Sequence, residues 1–264
     1  MALKNEYNLI HDAYLGNHEV LHGKLLYLSN MAQHEQWDYK GCNDKSILYN
    51  YLCFTYDKLL EEGKIAISPD NMHMCFNTGL LNSHEVDIYA FFERNNNLQR
   101  KNGQDWYLNG FRTSTDQDMR CFPCLPDIAD YFTNPSDFIF DKKLPLHIDY
   151  DHIIDDNIQR FMELGFSDKF IIQALLESAV KRITEKLKRN YKLAIPQYYT
   201  DKATGDSKIQ LLLPLFLRQN NVADLALTVD KDQHCYIGKT ILTLEWAYVN
   251  ARRIVRPEVD WLKI

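Results

Sequence analysis

The chain reads as an α+β protein: an N-terminal helical portion packed on a mixed, largely antiparallel sheet domain. Three observations carry that expectation. Between Ile47 and Leu60 apolar residues recur at spacings of three and four, the period of one helix face. After Ser68-Pro69-Asp70-Asn71 the period changes to two, and Val86-Asp87-Ile88-Tyr89-Ala90-Phe91-Phe92 reads as a strand. Beyond that point helices and strands are clustered rather than strictly alternating, which argues against a parallel α/β sheet. The expected organisation is a helical portion over 1–66 and an α+β domain over 67–264, together one compact unit.

Taken in order, residues 1–21 carry a weak helical stripe (Tyr7, Leu9, Ile10, Tyr14, Leu15) and read as a leader helix. The helix over Ile47–Leu60 has Asp44 as its expected N-cap and Gly63 as its stop. Its apolar faces are narrow, so it must pack on something larger. Two helices followed by Gly63-Lys64-Ile65-Ala66-Ile67 also suit a winged-helix DNA reader, but Ser46, Tyr49 and Asn50 make a poor recognition helix. Strands are expected at His73–Phe76, Val86–Phe92 and Trp106–Phe111, with Asn77-Thr78-Gly79-Leu80 as a tight turn. Arg112–Arg120 reads as an exposed loop and Asp127–Phe132 as a short helical piece among prolines.

Leu144–Tyr150 alternates like a strand. Asp155 or Asp156 then caps a helix over Asn157–Leu164, and Ser167 caps a longer one running from Asp168 to Asn190. An antiparallel meander follows: Lys192–Tyr199, Lys208–Leu217, Ala223–Val229 and Tyr236–Leu244, with a turn at Thr204-Gly205-Asp206. A last helix covers Glu245–Ile254.

A formal charge of −6 argues against a protein that coats nucleic acid nonspecifically, though it leaves room for a local basic patch. No apolar run approaches about 18 residues, so no transmembrane helix is expected. Met1–Glu6 lacks the build of a signal peptide, and the scattered cysteines read as reduced thiols of a cytoplasmic protein. The chain contains no P-loop, no GxGxxG after a strand, no GxSxG and no HExxH. It also lacks the lysine–x–Asp–Gly pattern of covalent nucleotidyl-transferring ligases, because Lys202-Ala203-Thr204-Gly205 misses the carboxylate.

The densest positive charge is Lys181, Arg182, Lys186, Lys188, Arg189 and Lys192, next to the densest apolar stretch. Cations at a helix C-terminus complement its dipole without any partner, at about 0.3–1 kcal/mol each. They also suit phosphate, and Gln197, Tyr198 and Gln210 just beyond them offer amides and a stacking face, the combination that binds single-stranded nucleic acid. Arg252 on the final helix can join them, and Asn77 beside Gly79 is a further ligand candidate weighed against a plain turn.

A second cluster is His147, Asp149, Asp151, His152, Asp155 and Asp156. In an extended strand His147, Asp149 and Asp151 point the same way, a spacing able to hold a hard divalent cation. Helix capping explains the same aspartates and is preferred, so no metal site is assigned. Cys121-Phe122-Pro123-Cys124 has no second pair at zinc-finger spacing and does not open a helix, so structural zinc and redox roles are disfavoured.

Several pieces in order resemble a bacterial family, DUF3825, a domain of unknown function. They are Leu48-Tyr49-Asn50-Tyr51-Leu52, Glu62-Gly63-Lys64-Ile65, Phe76-Asn77-Thr78-Gly79-Leu80 and Ile88-Tyr89-Ala90-Phe91-Phe92. His152-Ile153-Ile154 with Asn157 and Arg160 follow, then Asn190-Tyr191-Lys192, Pro196-Gln197-Tyr198-Tyr199, Gln210–Leu215 and Ala247-Tyr248 with Asn250-Ala251-Arg252. The resemblance covers roughly residues 22–264. It implies an RNA-related role by association with RNA-binding modules, and it supplies no catalytic residues.

The sequence thus favours an RNA-associated binding domain with a basic and aromatic cleft. Lys188, Arg189 and Lys192 would contact phosphate there, and Gln197, Tyr198 and Gln210 bases or sugar. The second reading is an enzyme acting on a nucleotide or RNA end, with Asp149, Asp151 and His152 holding a metal or moving protons. The third is an interaction module in a larger assembly. RNA or a nucleotide is the expected partner and a membrane is not; no cofactor and no oligomeric state can be named.

Overall fold

The computed structural model of the chain describes residues 7–38, 42–97, 103–132, 134–200 and 207–262. The turn expected at Thr204-Gly205-Asp206 lies outside them. Among the described residues, six α-helices and two five-stranded mixed sheets give an α+β fold. The chain divides into two compact units, Met1–Asp130 and Tyr131–Ile264. The sequence reading puts the division after residue 66. The structure puts it after Asp130, because the N-terminal helices have a sheet of their own.

The first unit contains α1 (Asn8–Asp12), β1 (Ala13–Tyr14), α2 (His18–Met31) and α3 (Ser46–Glu61). These are followed by β2 (Ala66–Ile67), β3 (His73–Leu81), β4 (Asp87–Arg94) and β5 (Trp106–Thr113). The sheet order is β1-β5-β4-β3-β2, parallel only between β1 and β5. α3 packs against α1, α2 and β3.

The narrow apolar face read from the sequence is a mistake. Ile47 through Cys53, Thr55, Tyr56 and Leu59 are all buried, so α3 is shielded around most of its circumference. Its tyrosines make this possible by satisfying their polar tips: Tyr51 Oη donates to the Thr78 carbonyl at 2.8 Å and Tyr56 Oη to Asp12 at 2.8 Å. The helix starts one step later than expected, with Lys45 as N-cap in the left-handed region at φ 51°, while Asp44 accepts the Ser46 N–H at 3.0 Å.

Period-two alternation sends Phe76 and Phe92 to the face where Tyr56 packs, with Phe76 5.4 Å from Tyr56 and 5.8 Å from Phe92. Cys75, Tyr89 and Phe91 form a cluster with Met119 and Phe122. The stretch read as an exposed loop therefore supplies part of the core: β5 continues to Thr113, and a 3-10 turn at Gln117–Cys121 buries Met119. Asp127–Phe132 forms no helix. Asn77-Thr78-Gly79 is not a turn between strands but an irregularity inside β3, where the register with β4 shifts between Asn77 and Leu80.

β5 pairs with β1 only at Trp106 and Tyr107. Just beyond, Lys24 Nζ on α2 donates to the Leu108 carbonyl and lies 3.3 Å from Tyr107 Oη. Arg112 Nη1 donates to the Phe111 carbonyl at 3.0 Å.

The second unit contains β6 (Leu146–His147), α4 (Tyr150–Glu163), α5 (Lys169–Leu187) and β7 (Ile195–Thr200). It continues with β8 (Ser207–Leu215), β9 (Leu225–Lys231), β10 (Tyr236–Leu242) and α6 (Leu244–Arg252). β7 to β10 form the expected antiparallel meander, and β6 adds to β10 in parallel, giving the order β6-β10-β9-β8-β7. α4 packs on β10, α5 on β8, and α6 on β7, β9 and β10. Gly238 lets α4 come close: a Cβ there would lie 3.1 Å from Ile148 Cγ1 and 3.3 Å from Ile153 Cδ1.

Two caps differ from the sequence reading. α4 begins at Tyr150 with Asp149 as its cap, not Asp155 or Asp156, and α5 is capped by Asp168, whose Oδ1 accepts from the Phe170 and Ile171 N–H groups, not by Ser167.

Candidate nucleic-acid interface

The polar residues read as base contacts are built into the sheet instead. Gln197, Gln210 and Asp230 occupy one rung across β7, β8 and β9 and are 2%, 4% and 7% exposed. Gln197 Nε2 donates to Gln210 Oε1 at 2.7 Å, and Gln210 Nε2 donates to Asp230 Oδ1 at 2.7 Å. Asp230 also pairs with Lys208 at 2.7 Å and Lys239 at 3.6 Å. A carboxylate only accepts, so it fixes the direction of both amides. Gln197 Oε1 is left buried without a partner at the outer end of the row.

The other named residues are dispersed. Tyr198 alternates to the opposite face and meets Tyr131 edge-on at 5.0 Å. Arg252 is 7% exposed on α6. Lys192 is exposed in a 3-10 turn over Tyr191–Leu193. Asn77, in the first unit, is buried and accepts the Gly79 N–H at 2.9 Å. Lys192, Gln197, Gln210 and Arg252 line no common pocket among those found in the described residues.

Lys188 and Arg189 do line one. A cleft of about 530 Å³ lies between the 136–143 segment, the end of α5 and the end of β9. Lys142, Lys143, Lys188, Arg189 and Lys231 line it, with Asp141, Ile139 and Tyr191, a residue 52% exposed. Glu185 pairs with Lys188 at 2.6 Å and Arg189 at 3.1 Å, and these cations hold its carboxyl below the usual range. Lys231 pairs with Asp137 at 3.1 Å. Two further cations of the run are tied elsewhere: Arg182 donates to the Phe216 carbonyl and Lys186 to Asn221 Oδ1.

Sequence reasoning missed Lys142, Lys143, Tyr191 and Lys231 as members of this site. The Lys142-Lys143 pair is visible in the chain, but its nearness to the end of α5 is a tertiary fact.

The acidic and histidine cluster does not assemble as the extended-strand spacing suggested. β6 ends at His147, so alternation stops before Asp149. Asp149 accepts the His152 N–H at 3.1 Å, Asp151 sits in the exposed first turn of α4, and His152 Nε2 lies 3.3 Å from Asp156 on the surface. Among the described residues no group of three or more His, Cys, Asp or Glu is arranged to hold a metal ion. Cys121 Sγ donates to the Asp118 carbonyl at 3.1 Å, and both Cys121 and Cys124 are free thiols.

Residues 28–261 match the sequence model of a family described as a domain of unknown function, DUF3825. The chain belongs to the DUF3825 family. Comparisons with curated proteins and with solved structures find no match. Several pieces that carry the likeness to DUF3825 are core: Leu48–Leu52 lies in α3, Phe76–Leu80 in β3, Ile88–Phe92 in β4 and Gln210–Leu215 in β8. No helix among the described residues of this DUF3825 chain is long and apolar enough to cross a membrane.

Proposed function

We propose that this DUF3825 protein binds single-stranded RNA through the cleft between the 136–143 segment, the end of α5 and Lys231. One observation carries the reading: five cations from three separate segments line one opening beside an exposed tyrosine. The helix dipole accounts for Lys188 and Arg189, but it gives no reason for Lys142, Lys143 and Lys231 to gather at the same place. Against these five stand Asp137, Asp141 and Glu185, an excess of two positive charges in a chain of net −6. Phosphates neutralise that excess, and Tyr191 gives a base a face on which to stack. The unpaired cysteines suit a reducing cytoplasm, where such a ligand is found.

The test is the affinity of labelled oligouridylate at several salt concentrations, for the wild type and a Lys142→Glu/Lys188→Glu variant. The variant is expected to bind at least about tenfold more weakly at low salt. Loss of two phosphate contacts lowers the salt slope by about 1.4. Absence of RNA binding by the wild type at low salt, or an unchanged slope in the variant, sinks the reading.

A further inference from the structure

We infer that a cavity in the first unit binds a small organic carboxylate, held by the Arg112 guanidinium and the Lys24 ammonium. It lies between α2 and the stretch of β5 past its pairing with β1. The cavity measures about 440 Å³, a size that holds a small molecule. Lys24 and Arg112 line it, and no carboxylate does so among the described residues. The ammonium is half-buried on α2 and has no ion pair among the described residues. Its three N–H groups go to the Leu15 carbonyl at 3.4 Å, Tyr107 Oη at 3.3 Å and the Leu108 carbonyl. Burial lowers its pKa, and no neighbouring carboxylate offsets that effect. A charge drawn out of water without a counter-ion is costly, and an anion in the cavity relieves that cost.

Arg112 supplies the geometry. Its Nε donates to Asp118 at 2.6 Å, Nη1 to the Phe111 carbonyl at 3.0 Å and Nη2 to Asn109 Oδ1 at 2.7 Å, so the head group is fixed before a ligand arrives. These bonds use one N–H on each nitrogen and leave one on each terminal nitrogen, the pair that a carboxylate accepts from side by side. Gly110 lets the guanidinium lie against the strand, since a Cβ there would stand 3.1 Å from Nη1. Asp118, and Glu93 which accepts from Asn109 Nδ2 at 2.9 Å, balance part of the charge from outside the lining. On the α2 wall Val20 and Tyr27 are exposed one turn to either side of Gly23, where a Cβ would meet nothing within 4 Å. That wall suits the apolar body of the ligand. An added β-strand is a poorer occupant, because the Leu108 and Phe111 carbonyls already accept from Lys24 and Arg112.

The experiment titrates the full chain with benzoate, phenylacetate and octanoate by calorimetry, each beside its primary amide as the uncharged control. At least one acid is expected to bind with a Kd of about 1 mM or below, and its amide at least about tenfold more weakly. Arg112→Gln and Lys24→Gln are each expected to lower that affinity at least about tenfold. Both residues also hold β5, so Gly23→Leu is the deciding variant. It adds a side chain to the cavity from an open helix position, and binding is expected to disappear while the thermal midpoint stays level or rises. The inference is overturned if none of the three acids reaches that affinity, if the amides bind equally well, or if folded Gly23→Leu binds like the wild type. Lys142→Glu/Lys188→Glu is expected to leave the affinity within about twofold. Loss of binding there would place the acid in the basic cleft of the second unit and overturn the inference as well.

Discussion

Asp57 lies on α3 where its Oδ1 accepts the Asn8 N–H at 3.1 Å, and burial pushes its carboxyl up to about 6. The Asn8 hydrogen bond opposes that shift, while Glu61 and Asp12 add to it. The sign follows from linkage. Between about pH 4 and 6 the folded chain holds more protons than the unfolded one, so stability falls as pH rises through that window and stays lower above it. Asp57→Asn keeps an acceptor for Asn8 and removes the charge. Allowing for partial exposure, a gain of about 1–2 kcal/mol is expected at pH 7, vanishing near pH 4. Urea titrations at the two pH values check this; an equal gain at both would assign the effect to packing. At this scale Gln197 and Gln210 mark the limit of sequence reading. A glutamine in a strand offers the same donors to a base as to another glutamine, and only the register shows that these two face each other.

Among the elements, the irregularity in β3 is held by side chains. Gly79 has φ +70°, and a Cβ there would stand 2.8 Å from Tyr51 Oη, whose hydroxyl serves the Thr78 carbonyl. Gly79→Ala is expected to cost about 2–3 kcal/mol, from the left-handed backbone and the displaced hydrogen bond. Gly63, at φ +67° with open space around it, is the control. Gly63→Ala loses the conformational part alone, and identical losses at both sites would show that Tyr51 plays no part. Strand periods and the meander were legible because both depend on local alternation. Caps were less so: Asp149, Asp155 and Asp156 are equally good caps by type, and the choice was made by where β6 stops. The burial of α3 was hidden because tyrosine and cysteine suit the surface and the core alike, and only tertiary partners decide between them.

Across the whole molecule, the cleft joins residues 142–143, 188–191 and 231, separations that no local pattern encodes. The basic run at the end of α5 was readable as charge, yet Arg182 and Lys186 serve the fold through Phe216 and Asn221. The boundary after Asp130 was hidden for a similar reason. A helical start followed by strands looks like one α+β domain, and the second sheet is distinguished by pairing rather than by composition.

The lysine beside the stretch of β5 past its pairing with β1 also makes the guarding of that edge depend on pH. A strand with open amides and carbonyls is a template for another chain, and a charge placed on it repels the copy. Burial brings the Lys24 amine down to about 8. Its charge is therefore lost as pH rises through that value, while the same group contributes increasing stability between about pH 8 and 10.5, where the unfolded chain holds the extra proton. On the alkaline side folding stability is therefore expected to rise while this edge loses its charge. Sedimentation at pH 7 and 9 is expected to show larger species at pH 9 built from folded molecules, and Lys24→Arg, which keeps its charge, is expected to stay unassociated. Equal association of both proteins at pH 9 would mean that the edge is guarded by something other than this ammonium.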